Sequence, residues 1–329
     1  NDYQTWIRLY DSLDESQETK IRSEIDDMTF RPKISIIMPV NDPPLGFIQE
    51  AIESIKAQLY PNWELCIAVD VSADKAMLSL LQGYGYQDAR IKVTGPLHDG
   101  LLAAANHGLA LASGDYAAFL GDVDLLPRQA LFYIARAIAA HPEAAMIYSD
   151  EDKISDRGIR YAPWFKCDFN YELLLGQNRV GQLTVYHRDL MNDLGGFRDG
   201  FEGTQEYDLA LRVLERIDAA QIVHIPRILY HQRTRDRQTD AAIDAVRHAV
   251  AEHLVRTGRG GAVEPLPEAP QYNRVRYPLP SVLPLVSIII PTRDRADLLG
   301  MCLDSLLAKT TYAHYEIIIV DNGSVEPST

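Results

Sequence analysis

This sequence predicts an α/β protein, on three observations. Short apolar runs rich in β-branched residues, such as SIIM at Ser35–Met38 and LCIAV at Leu65–Val69, alternate with segments whose apolar residues recur at helical spacing. The runs stop at a proline or a carboxylate, as strands buried on both faces do before a loop. The end of the chain also repeats its beginning. A sheet of this kind binds ligands beyond the carboxyl ends of its strands, so function is sought in the residues that follow each run.

Residues 1–31 read as a helical extension, with Trp6, Leu9, Tyr10 and Leu13 at helical spacing and a charged segment from Glu15 to Met28. KISIIMP, after Pro32, is the first strand, and Phe47, Ile48, Ala51, Ile52 and Ile55 mark one face of the next helix. ELCIAVD is a second strand, ending on Asp70. RIKV at Arg90–Val93, YAAFL at Tyr116–Leu120 and AMIYS at Ala145–Ser149 are further strands, with a proline-led helix at Pro127–Ala140. FEGTQEYDLALRVLER, Phe201–Arg216, reads as a loop entering an amphipathic helix, and Ala241–Thr257 as a helix closed by Gly258. Glu264–Pro284 is proline-rich and reads as a linker.

SIIIPTRD at Ser287–Asp294 echoes SIIMPVND at Ser35–Asp42, and EIIIVDNGS at Glu316–Ser324 echoes ELCIAVDVS at Glu64–Ser72. The same interval separates Pro39 from Ser72 and Pro291 from Ser324. One β-α-β unit is too short to hold a core of its own. The expected organisation is therefore an extension (1–31), a main domain (32–260), a linker (261–284) and the truncated start of a second, similar domain (285–329).

At 329 residues, 47% hydrophobic and 24% charged, the composition is that of a soluble globular protein. No apolar run approaches the ~20 residues that span a bilayer, and the first residues lack a signal-peptide pattern. Cys66, Cys167 and Cys302 are scattered and odd in number, which fits buried thiols in a reducing compartment rather than a disulfide framework or zinc site. A net charge of −14 argues against a nucleic-acid binder, but not against an anionic substrate, because a bound divalent cation inverts the local field.

Several strand ends carry polar groups suited to chemistry. Asp70 can accept the imide N–H of uracil or thymine, or the N–H groups of guanine; it can equally cap a turn. Asp99 and Asn106 flank an Ala/Leu-rich helix, where they are either ligands or surface polars. In FLGDVDLLP, Asp122 and Asp124 stand where a strand gives way to a helix; a bent turn would aim both at one Mg²⁺ or Mn²⁺, as a departing diphosphate requires, and a hydrated acidic turn is the alternative. YSDEDKI, with Asp150, Glu151 and Asp152, is a solvated loop or part of the same sheet edge. Glu206 and Asp208 occupy a first helical turn, where the dipole favours carboxylates and where one would serve as general base for an acceptor hydroxyl. ILYHQRTRDRQ offers His231 as a third metal ligand and Arg227, Arg233, Arg235 and Arg237 as diphosphate contacts.

Taken in order, SIIMPVND, WELCIAVDVS, the D-G…N-x-x-L-x-x-A-S-G-D-Y segment, FLGDVDLLP, YSDEDKI, GGFRDGFEGTQEYDLALR and LYHQR resemble a family 2 glycosyltransferase, of the bacterial O-antigen and surface-polysaccharide branch that often carries two such domains in tandem. The resemblance covers Lys33–Thr257 and resumes at Leu285. It implies the GT-A fold, a Rossmann-like, mixed, mainly parallel sheet flanked by helices, here behind a helical extension. It further implies inverting transfer from a nucleotide diphosphate sugar, UDP- or dTDP-linked, to a glycan or lipid-linked glycan, with Mg²⁺ or Mn²⁺, in the cytoplasm at the inner face of the membrane. On it, Pro39, Val40, Asn41, Asp42, Asp70, Asp99, Asn106, Asp122 and Arg233 meet the donor. Asp122, Asp124 and His231 hold the metal, and Glu206, with Asp208 beside it, is the base. Gly196, Phe197, Arg198, Asp150, Glu151 and Asp152 lie on the acceptor side.

Some positions depart from the family pattern. The usual D-x-D-D is Gly121-Asp122-Val123-Asp124, the aspartate pair after the second strand is Val69-Asp70, the base is Glu rather than Asp, and H-W-R is His231-Gln232-Arg233. A one-residue shift at a strand end can turn a side chain away from a metal. The competing expectation is therefore a catalytically degenerate module for acceptor binding or domain pairing, completed by the remainder of the second domain. A dinucleotide oxidoreductase is disfavoured, since no G-x-G-x-x-G follows the first strand.

Overall fold

The computed structural model describes residues 2–97, 100–233, 240–327 and 329, and the chain falls into two compact units, Asn1–Arg276 and Tyr277–Thr329. In the first, β1 (Ile34–Val40) and β2 (Trp63–Asp70) pair in parallel, and every residue of both except Pro39 is buried. Strands covered on both faces have no polar side, which is why these runs read as continuous apolar stretches. β3 (Ile91–Leu97) extends the sheet past β2, and β4 (Tyr116–Phe119) flanks β1 on the other side. The β1–β4 ladder stops at Ile37 opposite Phe119, so Pro39 lies beyond it and its missing N–H costs no bond there. β7 (Thr184–His187) runs antiparallel between β4 and β5 (Met146–Ile154), while β6 (Arg160–Trp164) pairs antiparallel and β8 (Ile222–Arg233) parallel to β5. The order β3-β2-β1-β4-β7-β5-β6, with β8 on β5, is the expected GT-A sheet.

Helices cover both faces. Ile36 and Ile37 are neighbours in β1 and point into opposite cores. The first core is closed by α3 (Leu45–Lys56), α4 (Lys75–Gln87) and α6 (Ala130–Ala140). The second is closed by α5 (Gly100–Leu111), α7 (Tyr171–Gly176), α8 (Arg188–Asp193), α9 (Gln205–Leu214) and α10 (Asp240–Arg256). Of the extension, α1 (Asp2–Tyr10) buries no residue, and Leu9 and Tyr10, though at helical spacing, are exposed. Trp6 instead meets Phe165 edge-on, with ring centroids 4.9 Å apart. α2 (Glu15–Asp27) starts in a capping box of Asp14 and Gln17 and adds Ile21 and Ile25 to the first core.

Three sequence expectations change. The acidic run is no solvated loop: β5 continues through Asp150, Glu151 and Asp152, all buried. The proline-rich stretch is not linker throughout, because β9 (Ala262–Leu266) and β10 (Ala269–Arg276) form an antiparallel ribbon whose Asn273 donates to the Leu175 carbonyl. A two-stranded ribbon has outward edges that tolerate proline. Cys66 is buried, and burial pushes its thiol up to about 12, but Cys167 and Cys302 are exposed.

In the second unit β11 (Val286–Thr292) pairs in parallel with β12 (Tyr315–Asp321) through α11 (Ala296–Lys309). Ser287 lies opposite Glu316 and donates to it at 2.7 Å, as Ser35 lies opposite Glu64 and donates at 2.6 Å. Among the described residues no side chain of this unit is buried. No helix among the described residues is long and apolar enough to cross a membrane.

Candidate active site

β1 leads to β2 on one side while β4 lies on the other, so a crevice opens beyond the carboxyl ends of the strands, where α/β sheets take ligands. Asn41 and Asp42 follow directly on Val40, with Asp42 at a φ of +45°. The Asn41 N–H donates to Asp122 Oδ2 at 3.1 Å, and the Ser72 hydroxyl to Asn41 Oδ1 at 2.7 Å. The Ser72 N–H donates to Asp70 Oδ1 at 2.9 Å. Pro39, Val40, Asn41, Asp42, Asp70 and Asp122 thus converge from three segments. Asp99, Arg235 and Arg237 lie outside the described residues.

Arg233 is nearly buried and already engaged. Its Nη2 donates to Glu50 at 2.5 Å, its Nε to the Val123 carbonyl at 3.2 Å, and its guanidinium stacks 4.0 Å from the Phe47 ring. Arg227 is exposed and lies over the Tyr133 ring. The two do not form one arginine cluster.

Asn106 binds protein backbone. Its Nδ2 donates to the Phe197 carbonyl at 2.9 Å and its Oδ1 accepts from the Phe197 N–H at 2.8 Å. This clasp shapes the turn containing Gly196, whose φ of +67° suits glycine and where a Cβ would collide with Asn106 Oδ1. Arg212 holds the same turn through the carbonyls of Leu194 and Gly196.

The two carboxylates of the first α9 turn differ. Asp208 has no exposed surface and is gripped by Arg198 at 2.5 Å and Arg212 at 2.9 Å, with Arg198 also paired to Glu252. It is a strut, and Arg198 is its partner rather than a free acceptor contact. Glu206 has no cationic partner among the described residues and accepts from Gln205 Nε2 at 3.1 Å. Its pKa is raised, first by burial and further by the field of Asp124.

Asp124 is also buried. Its Oδ2 accepts from the Tyr230 hydroxyl at 2.5 Å and its Oδ1 from the Arg233 N–H at 2.7 Å. Burial pushes its pKa up to about 6 against those two hydrogen bonds. Gly121 makes this position accessible, because a Cβ there would run into Asp124 Oδ2. His231 Nδ1 bonds Asp152 at 2.6 Å, and its backbone bridges to Leu125. Among the described residues no group of three or more His, Cys, Asp or Glu side chains is disposed to hold one ion. The expected ligands Asp122, Asp124 and His231 therefore do not come together as one ion-holding set, and both oxygens of Asp124 accept from protein donors.

Each acid of β5 has partners too. Asp150 accepts from the Lys166 N–H at 2.8 Å and meets His224 Nε2 at 3.0 Å. Glu151 takes Lys166 Nζ at 2.9 Å and the Gln182 N–H at 3.0 Å. Asp152 binds Tyr3, Arg160 and His231, and those partners outweigh burial to keep its pKa low. Sequence reasoning missed Tyr230, Lys166 and Gly121. Tyr230 had a signal in its place beside His231 at a strand end, but Lys166 is paired across the fold with nothing local to mark it.

A model of the family described as Glycosyl transferase family 2 matches residues 35–195 and 287–329, more than half of the chain. An uncharacterized protein, y4gI, of Sinorhizobium fredii is 42% identical over 91% of this chain and 34% of its own length. The O-antigen biosynthesis protein RfbC of Myxococcus xanthus is 37% identical over all of this chain and 26% of its own length. The chain thus spans about a third or less of these two relatives. Escherichia coli WfgD, named a UDP-Glc:alpha-D-GlcNAc-diphosphoundecaprenol beta-1,3-glucosyltransferase, is 29% identical over 55% of this chain and 70% of its own. Among solved structures, S. aureus TarS in complex with UDP-GlcNAc aligns over 68% of this chain and 66% of its own, with a TM-score of 0.55 at 17% identity. The mannosyltransferase PcManGT of Pyrobaculum calidifontis, in complex with GDP-Man and Mn²⁺, aligns over 73% and 70% with a TM-score of 0.50 at 17% identity. These two likenesses concern the fold, whereas the family match is one of sequence over residues 35–195 and 287–329, and by it this chain belongs to glycosyltransferase family 2.

Proposed function

We propose that the first unit transfers a sugar from a nucleotide diphosphate sugar to a glycan acceptor with inversion, in surface-polysaccharide synthesis. The observation that carries the reading is the division of labour on α9: Asp208 is locked between arginines while Glu206, raised by burial, stays without a cation within the field of Asp124. A carboxylate so raised is a better base near neutral pH. Glu206 takes the proton of the acceptor hydroxyl, and that oxygen bonds to the anomeric carbon from the face opposite the diphosphate. The bond to the diphosphate oxygen breaks and its electron pair leaves with the diphosphate. Asn41, Asp42, Asp70 and Asp122 are assigned to the donor, with UDP or dTDP favoured because Asp70 suits an imide N–H. The Gly196–Arg198 turn is assigned to the acceptor side. The name of WfgD supports a lipid-linked acceptor and hence work at the inner face of the cytoplasmic membrane. PcManGT carries Mn²⁺, but the ligand set expected here does not come together, so no step is routed through a metal. Residues 285–329 are proposed as the start of a second such domain in a longer protein.

The test is titration of UDP, dTDP and GDP, each with and without Mn²⁺, and transfer to a GlcNAc-diphospholipid. Binding of UDP or dTDP and a loss of roughly 10²–10⁴ in transfer by Glu206→Gln, with nucleotide binding intact, is the expected result. The degenerate-module reading is favoured by one observation, the engagement of Asp124 with Tyr230 and Arg233. Failure of all three nucleotides to bind would select it.

A further inference from the structure

The arginines that face inward in the first unit are held by carboxylates: Arg160 by Asp11 and Asp152, Arg198 and Arg212 by Asp208, and Arg233 by Glu50. Arg179 is the exception. It is partly buried, yet among the described residues it forms no ion pair or hydrogen bond, and its Nε is enclosed without a partner. Its guanidinium stacks 5.0 Å from the centre of the Trp164 ring, and Lys166 Nζ lies 5.1 Å from the same ring. Lys166 is satisfied by Glu151 and the Val180 carbonyl; Arg179 is not.

The turn that carries Arg179 is built to hold it. Asn178 Oδ1 accepts from the N–H groups of Val180 and Gly181. Gly181 has a φ of +75°, and a Cβ there would collide with both Lys166 Nζ and Glu151 Oε2. A guanidinium held by its turn and its ring, partly exposed and given no counter-charge, is poised to take an anion from outside. The hollow beside it, which Tyr148, Asp168, Asn170 and Val180 help to line, measures about 10 Å³, room for one water-sized group, so an anion meets the partly exposed guanidinium from its solvent side and not inside the hollow.

Resting on the glycosyltransferase reading, we propose that Arg179 on Trp164 is an acceptor subsite for an anionic oxygen fork, a carboxylate or phosphate that a planar guanidinium grips in bidentate fashion. Val180, Tyr148 and Tyr186 share one core with α9, which carries Glu206, and this half of the sheet lies away from the β1–β2 donor side. The anion comes either from an acidic sugar of the acceptor or from the diphosphate that joins a first sugar to its lipid.

Ligand-observed NMR with the whole chain, in saturating UDP, tests this. The probes are methyl glucuronide against methyl glucoside, and an alkyl diphosphate ester of N-acetylglucosamine against the neutral alkyl glycoside. The expected result is that one charged probe binds at least about tenfold better than its neutral counterpart, and that Arg179→Gln removes the difference while Arg179→Lys retains part of it. Which charged probe wins identifies the source. Because Arg179 has the Trp164 ring but no counter-charge in the protein, Arg179→Gln is also expected to change the melting temperature little. Equal binding of charged and neutral probes, or a preference that survives Arg179→Gln, overturns the proposal, as does marked destabilisation of both variants. UDP binding is read separately: if UDP fails to bind but the Arg179-dependent preference persists, the donor reading falls and the anion site stands.

Discussion

Asp124 keeps a carboxylate where the family resemblance leads one to look for a metal ligand, yet both its oxygens face protein donors. Its pKa of about 6 in the folded chain, against an ordinary 3.8, means that the native state binds the proton more tightly than the unfolded state does. Its contribution to stability is therefore complete below about pH 4 and is lost as the pH rises through 6, a difference on the order of 3 kcal/mol. Asp124→Asn can still accept from the Arg233 N–H and has no proton to lose. Urea denaturation of both proteins from pH 4 to pH 7 should show the wild type losing stability relative to the variant; parallel curves would mean that Asp124 stays ionised. The spacing of the two aspartates was legible in the sequence. What was not is that Tyr230, more than a hundred positions away, occupies one of them, and that Gly121 clears the space.

The elements proposed for the acceptor side show the same division between what local sequence announces and what only packing decides. The helix α9 was readable from its apolar period, and its two acids from the first-turn preference. Nothing local said that Asp208 would be clamped by Arg198 and Arg212 while Glu206 was left open, because that choice depends on two arginines, one of them in a glycine-rich turn outside the helix. Asp208→Ala should destabilise the first unit by about 3–5 kcal/mol by stranding buried guanidinium charge. Glu206→Gln should not destabilise it, since it removes a raised carboxylate. Melting curves of the two variants decide the matter, and equal losses would refute the assignment of one as strut and the other as base. The Gly196 turn belongs to the same scale. Gly196→Ala forces a Cβ against Asn106 at a left-handed φ, with an expected loss of about 1–3 kcal/mol. The apolar run of β5 left open whether the three acids after it were a loop or the sheet edge; partners from α1, β6, β8 and two loops keep them inside as strand.

At the scale of the whole molecule, the alternation of apolar runs and helical segments was enough to predict the sheet, since burial on both faces writes itself directly into composition. The repeat was legible too, down to the register: Ser35 opposite Glu64 and Ser287 opposite Glu316. The units differ in what they enclose. The first has two cores, and the second, among its described residues, buries none of its side chains. A fragment ending at Arg276 is expected to unfold cooperatively by circular dichroism, whereas residues 277–329 alone should give a coil spectrum; a folded signal from the short fragment would show that β11, α11 and β12 suffice by themselves. The paired strands β11 and β12 form a sheet of two, with Ile289, Ile318, Ile319 and Val320 exposed. Such a ribbon offers unpaired backbone groups on both rims to other copies of itself, and association of that kind has no built-in end point. The net charge of −14 holds copies apart at low ionic strength, so light scattering of a concentrated sample should climb as salt screens that repulsion, which makes dilute, low-salt buffer the natural medium for handling this protein.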